Sequence, residues 1–276
     1  MTLIAIWSDS PSEHVYIASD SRLSDIYDKT KKPWDCASKI FQVADFSEVV
    51  AYCGKTEPLL VAISQTAQCL RYTDNLSKSG NSMAPQLTTR VTAACKHLDD
   101  AIKSYPKGWM GSGGNMFFVG YDKRERKPRV FRVRVNLRGV ICKKDDKPFE
   151  QKEVDFSTEP QFFGSGEKTA KNYLAKNNHD NANAAFNCLK STIFGERIRS
   201  VGGVPQVFRV DAKGVTPIGI VLDGEAFLGG MKLQYRSKMK NVEWRDKSFN
   251  ICEYLLDATV KRSKQTKRKK KPKNVV

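Results

Sequence analysis

The sequence predicts an α+β fold, a four-layer αββα sandwich in which two mainly antiparallel sheets lie between layers of helices. Two observations support this prediction. Short runs of β-branched and aromatic residues occur in blocks, and the blocks are separated by pairs of segments whose apolar residues recur at helical spacing. Strands alternating singly with helices would instead indicate a parallel sheet. With 276 residues, 40% of them hydrophobic, the chain can bury a sizeable core.

Four strands are predicted within the first 54 residues. The segments "TLIAIWS" and "HVYIASD" flank a turn at "DSPSE" and should form a hairpin, and "SKIFQVA" and "EVVAYCG" follow on either side of "DFS". We expect these four strands to lie in one sheet. Two helices, over 56–76 and about 84–105, should pack on that sheet because their leucine, isoleucine and valine residues share one face.

The remaining segments continue this order of strands and helices. "MFFVGYD" and "KPRVFRVRV" predict a second hairpin, and "EPQFFGSGEKTAKNYLAK" predicts a strand, a tight turn and a helix. "DNANAAFNCLKSTIFG" predicts a further helix, and "VPQVFRVDAKGVTPIG" predicts a hairpin that turns at Lys213 and Gly214. Residues 221–260 are less regular, with a helix predicted near "SFNICEYLLDATVK". We therefore expect one domain over 2–260, followed by a basic, disordered tail over 261–276.

The formal net charge of +17 is concentrated near the end of the chain. Residues 261–273, "KRSKQTKRKKKPK", contain nine basic residues and no acidic one. No aromatic residue is interleaved with them, so base stacking on single strands is not expected, whereas attraction to phosphates or to an acidic partner is. A solvated tail and a nuclear-import signal are the alternatives.

Composition argues against several classes of protein. The seven cysteines are scattered without a C-x-x-C pair, and there are only three histidines, so neither a disulfide framework nor a zinc site is expected. No apolar run approaches the length of a membrane span, and no signal peptide precedes Thr2. We expect a cytoplasmic protein without membrane contact.

Four segments near the amino terminus carry a family resemblance. "TLIAIWSD", "VYIASDSR", "ASKIFQV" and "VAYCG" resemble the proteasome β-type branch of the N-terminal nucleophile hydrolases. Members of that family have a leading threonine, an A-x-D-S-R motif, a lysine at the start of a strand and a glycine at the end of the next. The resemblance extends through "FFVGYD", "FFGSGEKTA" and "SVGGVPQVFRV" and spans most of residues 2–220. It implies the fold of that family and amide hydrolysis without a cofactor.

The resemblance assigns the catalytic roles to Thr2, Asp20, Lys39, Gly54 and Ser165. Removal of Met1 would free the α-amino group of Thr2, whose ordinary pKa of about 7.7–8.0 suits a general base for its own hydroxyl. Lys39 would favour the neutral amine and the developing alkoxide, and Asp20 would hold the lysine in place. The backbone N–H of Gly54 would stabilise the oxyanion. Ser165 matches the family serine that hydrogen-bonds the terminal amine.

Further residues have supporting roles by the same resemblance. Ser21 and Arg22, which complete the A-x-D-S-R motif, are assigned to substrate binding, and Ser200 and Gly202 to support of the nucleophile. The chain departs from the family at "GERIRSVGG", which lacks the usual aspartate and has only Glu196 nearby. The charged loop "SDIYDKTKKPWDC" is longer than usual, so side-chain preference cannot be carried over. We interpret Cys36 and Cys53 as core or lining residues.

The resemblance also implies how the protein would work. Only Met1 precedes Thr2, so methionine aminopeptidase would expose the nucleophile without self-cleavage. A peptide or unfolded protein would be the substrate, the subunits would form a homo-oligomeric ring, and an ATP-dependent unfoldase is a candidate partner. Two alternatives are an amidase of small acyl-amides and a catalytically silent structural subunit that binds a partner or nucleic acid through the basic tail.

Overall fold

The computed structural model describes residues 2–24, 30–43, 47–54, 60, 63–68, 87–103, 113–135, 149–177, 182–195, 197–233 and 239–253. The strands are β1 (Leu3–Trp7), β2 (His14–Ser19), β3 (Ile40–Val43), β4 (Glu48–Gly54), β5 (Gly114–Asp122), β6 (Lys127–Val135), β7 (Phe149–Glu153), β8 (Gln161–Gly164), β9 (Gln206–Asp211), β10 (Gly214–Leu222), β11 (Glu225–Leu228), β12 (Met231–Lys232) and β13 (Glu243–Arg245). The helices are α1 (Leu87–Lys103), α2 (Glu167–Asn177) and α3 (Ala182–Phe194), and residues 63–68 are also helical. The rest of the helix predicted over 56–76 lies outside the described residues, apart from residue 60.

The chain is a mixed α+β protein with two sheets, as predicted. The first sheet has the order β12-β11-β10-β9-β2-β1-β8 and is antiparallel, except that β13 pairs with β10 in parallel. The second sheet, β3-β4-β5-β6-β7, is antiparallel throughout. The expectation that the first four strands share one sheet is wrong, because β1 and β2 belong to the first sheet and β3 and β4 to the second. The other edge of β1 is taken by β8 and that of β4 by β5, strands that come later in the sequence.

The central strands bury both faces, which explains why their sequences are nearly continuous apolar runs. In β1, Ile4 and Ile6 pack with side chains of the second sheet. Leu3, Ala5 and Trp7 point the other way, into a cluster with side chains of α2 and α3. A third cluster joins α1 to the second sheet. This distribution of apolar residues is compatible with a sandwich.

The segment after β10 is part of the first sheet and its core, although the sequence showed little regularity there. Strands β11 and β12 form a hairpin that extends the sheet beyond β10. The ring of Phe249 is fully buried and stacks on Phe186 with centroids 4.5 Å apart. Trp244 covers Gly219, where a Cβ atom would come within 2.4 Å of the indole ring.

The helix predicted near "SFNICEYLLDATVK" is wrong over the part that is described. Residues 248–253 are not helical, and Ile251 forms a bridge with Arg245. Helical periodicity was misleading here because pairing with a distant strand end competes with local preference. Residues 254–276, which include the predicted tail, lie outside the described residues. None of the described helices is long and apolar enough to cross a membrane.

Truncation of Leu98 on α1 tests the packing of this helix on the second sheet. Leu98 is fully buried in the cluster that α1 forms with that sheet. We expect Leu98→Ala to lower the free energy of unfolding by about 2–5 kcal/mol, through lost apolar contact and a residual cavity. The exposed Lys96 on the same helix provides the control. Lys96→Ala should change the free energy of unfolding by less than about 0.5 kcal/mol. Urea denaturation measures both, and equal losses would contradict this packing.

Candidate functional site

The candidate site lies where strand ends of the two sheets come together. Thr2 directly precedes β1, Asp20 follows β2, Lys39 precedes β3 and Gly54 ends β4. The side chains of Asp20 and Lys39 are completely buried, and Thr2 is 1% exposed. Buried polar groups are costly unless they are paired, so the partners of these residues determine what the site can do.

The carboxylate of Asp20 is the centre of the hydrogen-bond network. Its Oδ1 accepts a bond of 2.9 Å from the ammonium of Lys39 and another of 2.9 Å from the backbone N–H of Leu3. Its Oδ2 accepts bonds of 3.2 Å from the backbone N–H groups of Arg22 and Gly202. Four donors therefore hold one carboxylate, and its negative charge is well compensated although no water reaches it.

Lys39 is a buried lysine with one charged partner. Burial lowers its pKa below the usual value, and the neighbouring Asp20 carboxylate opposes that effect. Within the described part of the chain, the bond to Asp20 is the only one that the ammonium group makes. An ammonium has three hydrogens, so Lys39 retains donor capacity for another group in the site.

Thr2 is held by its backbone, while its hydroxyl is left without a partner. Its carbonyl accepts a bond of 2.9 Å from the backbone N–H of Ser165. Close approach is possible because residue 164 is a glycine at φ +97°, where a Cβ would lie 2.1 Å from that carbonyl oxygen. The buried Oγ1 of Thr2 has no hydrogen-bond partner among the described residues. A buried hydroxyl without a partner is uncommon, and such groups often have a functional explanation.

The end of β4 lies beside Thr2 and is built from glycines. A Cβ at Gly164 would lie 3.5 Å from Cβ of Cys53, the residue before Gly54. Gly54 has φ +131°, and a side chain there would come within 2.6 Å of the Cα of Gly114 on β5. Only glycine therefore fits at residue 54, and the role of its N–H as an oxyanion donor stays a prediction.

The cysteines near the site differ in exposure. Cys53 is buried, as expected for a core or lining residue, whereas Cys36 is exposed and does not belong to the core. Burial raises the pKa of the Cys53 thiol to about 11, and a hydrogen bond from Asn115 opposes that effect. Cys53 is therefore a neutral thiol near pH 7 and is poorly suited to be a nucleophile.

Ser21 and Arg22 are both engaged within the protein. The hydroxyl of Ser21 donates to the carbonyl of Asp35 at 2.7 Å and accepts the N–H of Val204 at 2.8 Å. The guanidinium of Arg22 makes two bonds, of 2.6 and 2.9 Å, to the carboxylate of Asp35. Their assignment to substrate binding stays a prediction, and any such contact has to coexist with these bonds.

Of the supporting residues, Gly202 contacts Asp20, and Ser200 lies next to Ser165 with their hydroxyl oxygens 3.0 Å apart. The Oγ of Ser165 also approaches the Thr2 carbonyl at 3.4 Å, so Ser165 connects Ser200 to Thr2. Glu196, the acidic residue nearest to the family aspartate in sequence, lies outside the described residues.

Gln206 is the residue of this network that sequence reasoning missed. It is fully buried at the start of β9, and its amide oxygen accepts the backbone N–H of Lys39 at 3.0 Å. Its amide nitrogen donates to the backbone carbonyls of Asp20 and Ala37. The only available signal was a polar residue at the start of an apolar strand, which is weak evidence by itself.

A cavity of about 460 Å³ opens next to Ser165. It is lined by Gly164, Ser165, Glu167, Lys168, Lys171 and Asn172. Gly164 and Ser165 adjoin Thr2, but Thr2 itself does not line this cavity.

No protein-family model matches the chain, and no curated protein matches it.

Variants of the Asp20–Lys39 pair test its burial. Lys39→Met leaves an unpaired carboxylate in the interior and Asp20→Asn leaves an unpaired ammonium, so each should lower the free energy of unfolding by about 3–5 kcal/mol. The double variant leaves neither charge, and its loss should be smaller than the sum of the two.

The exposed pair of Glu167 and Lys171 is the control for these variants, and Glu167→Gln should cost less than about 1 kcal/mol. Urea denaturation of all four variants gives the comparison. Losses from the single variants no larger than the loss from Glu167→Gln would mean that solvent reaches the Asp20–Lys39 pair.

Proposed function

We propose that this protein is an N-terminal threonine hydrolase of the proteasome β type, which cleaves peptide bonds with Thr2 after Met1 has been removed. The observation that carries the proposal is the buried Asp20–Lys39 pair close to a buried Thr2 hydroxyl without a described partner. A fully buried lysine is rare, and a perturbed ionisable group in a polar network is a common property of catalytic sites.

The proposed reaction uses the amine and the hydroxyl of one residue. The free α-amino group of Thr2 takes the proton of its hydroxyl, the oxygen attacks the amide carbon, and an ester forms as the leaving amine takes that proton. The positive charge of Lys39 favours the neutral amine and the developing alkoxide, and the N–H of Gly54 stabilises the tetrahedral oxyanion. Water then hydrolyses the ester and regenerates Thr2.

The four-layer arrangement of the N-terminal nucleophile hydrolases belongs to the same proposal. It is supported by the three apolar clusters, one between the two sheets and one on the outer side of each. The positions of Thr2, Asp20, Lys39 and Gly54 at four successive strand ends give further support. With this fold we propose a cytoplasmic homo-oligomeric ring that acts on peptides or unfolded proteins, with an ATP-dependent unfoldase as a candidate partner.

A catalytically silent subunit is the second candidate. It is favoured by the segment "GERIRSVGG", which lacks the aspartate that supports the nucleophile in the family. Against it stands the full set of hydrogen bonds to Asp20, because a silent subunit does not need a buried ion pair of this kind.

Intact mass and active-site labelling test the proposed function together. We expect the purified chain to lack Met1 and to react with a peptide epoxyketone, which closes a ring with both the hydroxyl and the free amine of Thr2. Thr2→Ala should not be labelled, Thr2→Ser should retain labelling, and Lys39→Met should react at least ~100-fold more slowly because it loses electrostatic stabilisation.

Insertion of a leucine between Met1 and Thr2 is the control for the free amine, because Met1 is then retained and labelling should be lost. Peptide and small-amide substrates are assayed in parallel. Cleavage of small amides alone would favour the amidase. If Met1 is absent and neither the probe nor any substrate reacts, the protein is not a threonine hydrolase and the silent subunit is favoured.

Deletion of 261–276 tests polyanion binding by the basic tail. Nine positive charges in 261–273 should attract phosphates and release counterions, so binding of the full chain to a polyanion should weaken steeply with salt. The deletion should abolish most of this binding and leave peptide hydrolysis unchanged. Fluorescence anisotropy with labelled DNA at several salt concentrations measures polyanion binding. If the deletion reduced peptide hydrolysis as much as DNA binding, the tail would not be independent of the hydrolase domain.

A further inference from the structure

The hairpin of β11 and β12 reaches back to the candidate site, although it lies beyond the segment that carries the family resemblance. Its turn contains Gly229 and Gly230, both in the left-handed region of φ. A Cβ at Gly230 would lie 2.8 Å from the Cβ of Ser21 and 3.0 Å from the Cγ and Nε2 atoms of Gln206. Distances below 3.0 Å are not tolerated without movement, so the turn is packed tightly against these two residues.

Ser21 and Gln206 hydrogen-bond to the backbone around the ion pair, together with bonds from the backbone of Asp20 to Leu3 and of Tyr52 to Lys39. Gln206 connects β9 of the first sheet to Lys39, which begins the path into the second sheet. Its amide nitrogen also holds the carbonyl of Asp20, so one side chain spans both members of the pair. Ser21, next to Asp20, is fixed in the same way by bonds to Asp35 and Val204.

We infer that the β11–β12 hairpin and Gln206 form a positioning element, in which the Gly229–Gly230 turn presses Gln206 and Ser21 against the backbone of Asp20 and Lys39. Gln206 acts through the geometry of Lys39 and does not touch the reacting atoms. The importance of this element for catalysis rests on the proposed function, whereas its effect on the backbone of Lys39 does not.

The turns of this region provide a matched pair of variants. Gly230 has φ +84° and Gly224, in the turn between β10 and β11, has φ +81°. Alanine is strained to a similar degree at both positions. At Gly224 no atom lies within 4 Å of an added Cβ, whereas at Gly230 the added Cβ would collide with Ser21 at 2.8 Å and crowd Gln206 at 3.0 Å. The difference between Gly230→Ala and Gly224→Ala therefore isolates the contact with the site from backbone strain.

The first readout is hydrogen exchange at the amide of Lys39, which donates to Gln206. We expect this amide to exchange roughly tenfold faster in Gly230→Ala than in wild type, because the acceptor is displaced and local opening becomes easier. The amides of β5 serve as an internal reference for global stability. Gly224→Ala should change the exchange rates of the Lys39 amide and of the β5 amides by the same factor. Gln206→Met removes the acceptor at similar side-chain length and should also speed exchange of the Lys39 amide. It replaces Gly230→Ala in this test if that variant does not fold.

The second readout is the rate and pH profile of epoxyketone labelling. We expect Gly230→Ala and Gln206→Met to react about tenfold or more slowly, since small displacements of catalytic groups cost rate steeply. A Lys39 charge that is less well placed favours the neutral amine less, so the midpoint pH of labelling should rise toward about 7.7–8.0. Gly224→Ala strains the backbone without contacting the site, so it should keep the wild-type labelling rate and midpoint pH.

The outcomes separate the two proposals. If wild type is not labelled but exchange at Lys39 responds to Gly230→Ala and not to Gly224→Ala, the threonine hydrolase is wrong and the positioning element stands. If wild type is labelled and Gly230→Ala and Gln206→Met behave like Gly224→Ala in exchange, rate and pH midpoint, the positioning element is wrong. Faster exchange at Lys39 with unchanged labelling would overturn the role of the element in catalysis, although its effect on the backbone of Lys39 would stand.

Discussion

The buried ion pair of Asp20 and Lys39 is the interaction on which the rest of the site depends. It joins the end of β2 in the first sheet to the start of β3 in the second. A buried pair is tolerated only where its remaining groups are hydrogen-bonded, and Asp20 meets this condition through the backbone N–H groups of Leu3, Arg22 and Gly202. One carboxylate thereby ties together chain segments far apart in sequence.

Close backbone approach is the second physical requirement of the site. Gly164 allows the β8 end to touch the Thr2 carbonyl, and Gly54 allows the end of β4 to lie against β5. Both glycines have positive φ, so any other residue would be strained as well as obstructed. A threonine held by its carbonyl, with its hydroxyl left without a described partner, is an arrangement in which a reacting group can be placed accurately.

The part of the chain beyond residue 220 packs on the first sheet, and at Gly230 it contacts the surroundings of the site. The half-buried ring of Trp244 covers Gly219, the fully buried ring of Phe249 packs on Tyr16 and Phe186, and the β11–β12 hairpin packs on Ser21 and Gln206. Local patterns did not reveal these strands, because β11, β12 and β13 are only 4, 2 and 3 residues long, and β13 pairs with the earlier strand β10. The alternation of apolar residues predicts a strand only where several residues share one buried face.

The sequence by itself determined the α+β class, most strands of both sheets and the helices α1 to α3. These follow from local periodicity and turn residues, which act over a few neighbouring residues. The candidate set of Thr2, Asp20, Lys39, Gly54 and Ser165 was instead implied by the resemblance to a known family, and it stays a prediction. Only the tertiary structure decided that β1 and β3 lie in different sheets and that Asp20 bonds to Lys39. It also decided that Gln206 bonds to the backbone of Lys39 and that Gly230 packs against Gln206. The hydrogen bonds among them join residues separated by up to 186 positions, and their energies depend on packing and burial, which no local segment records.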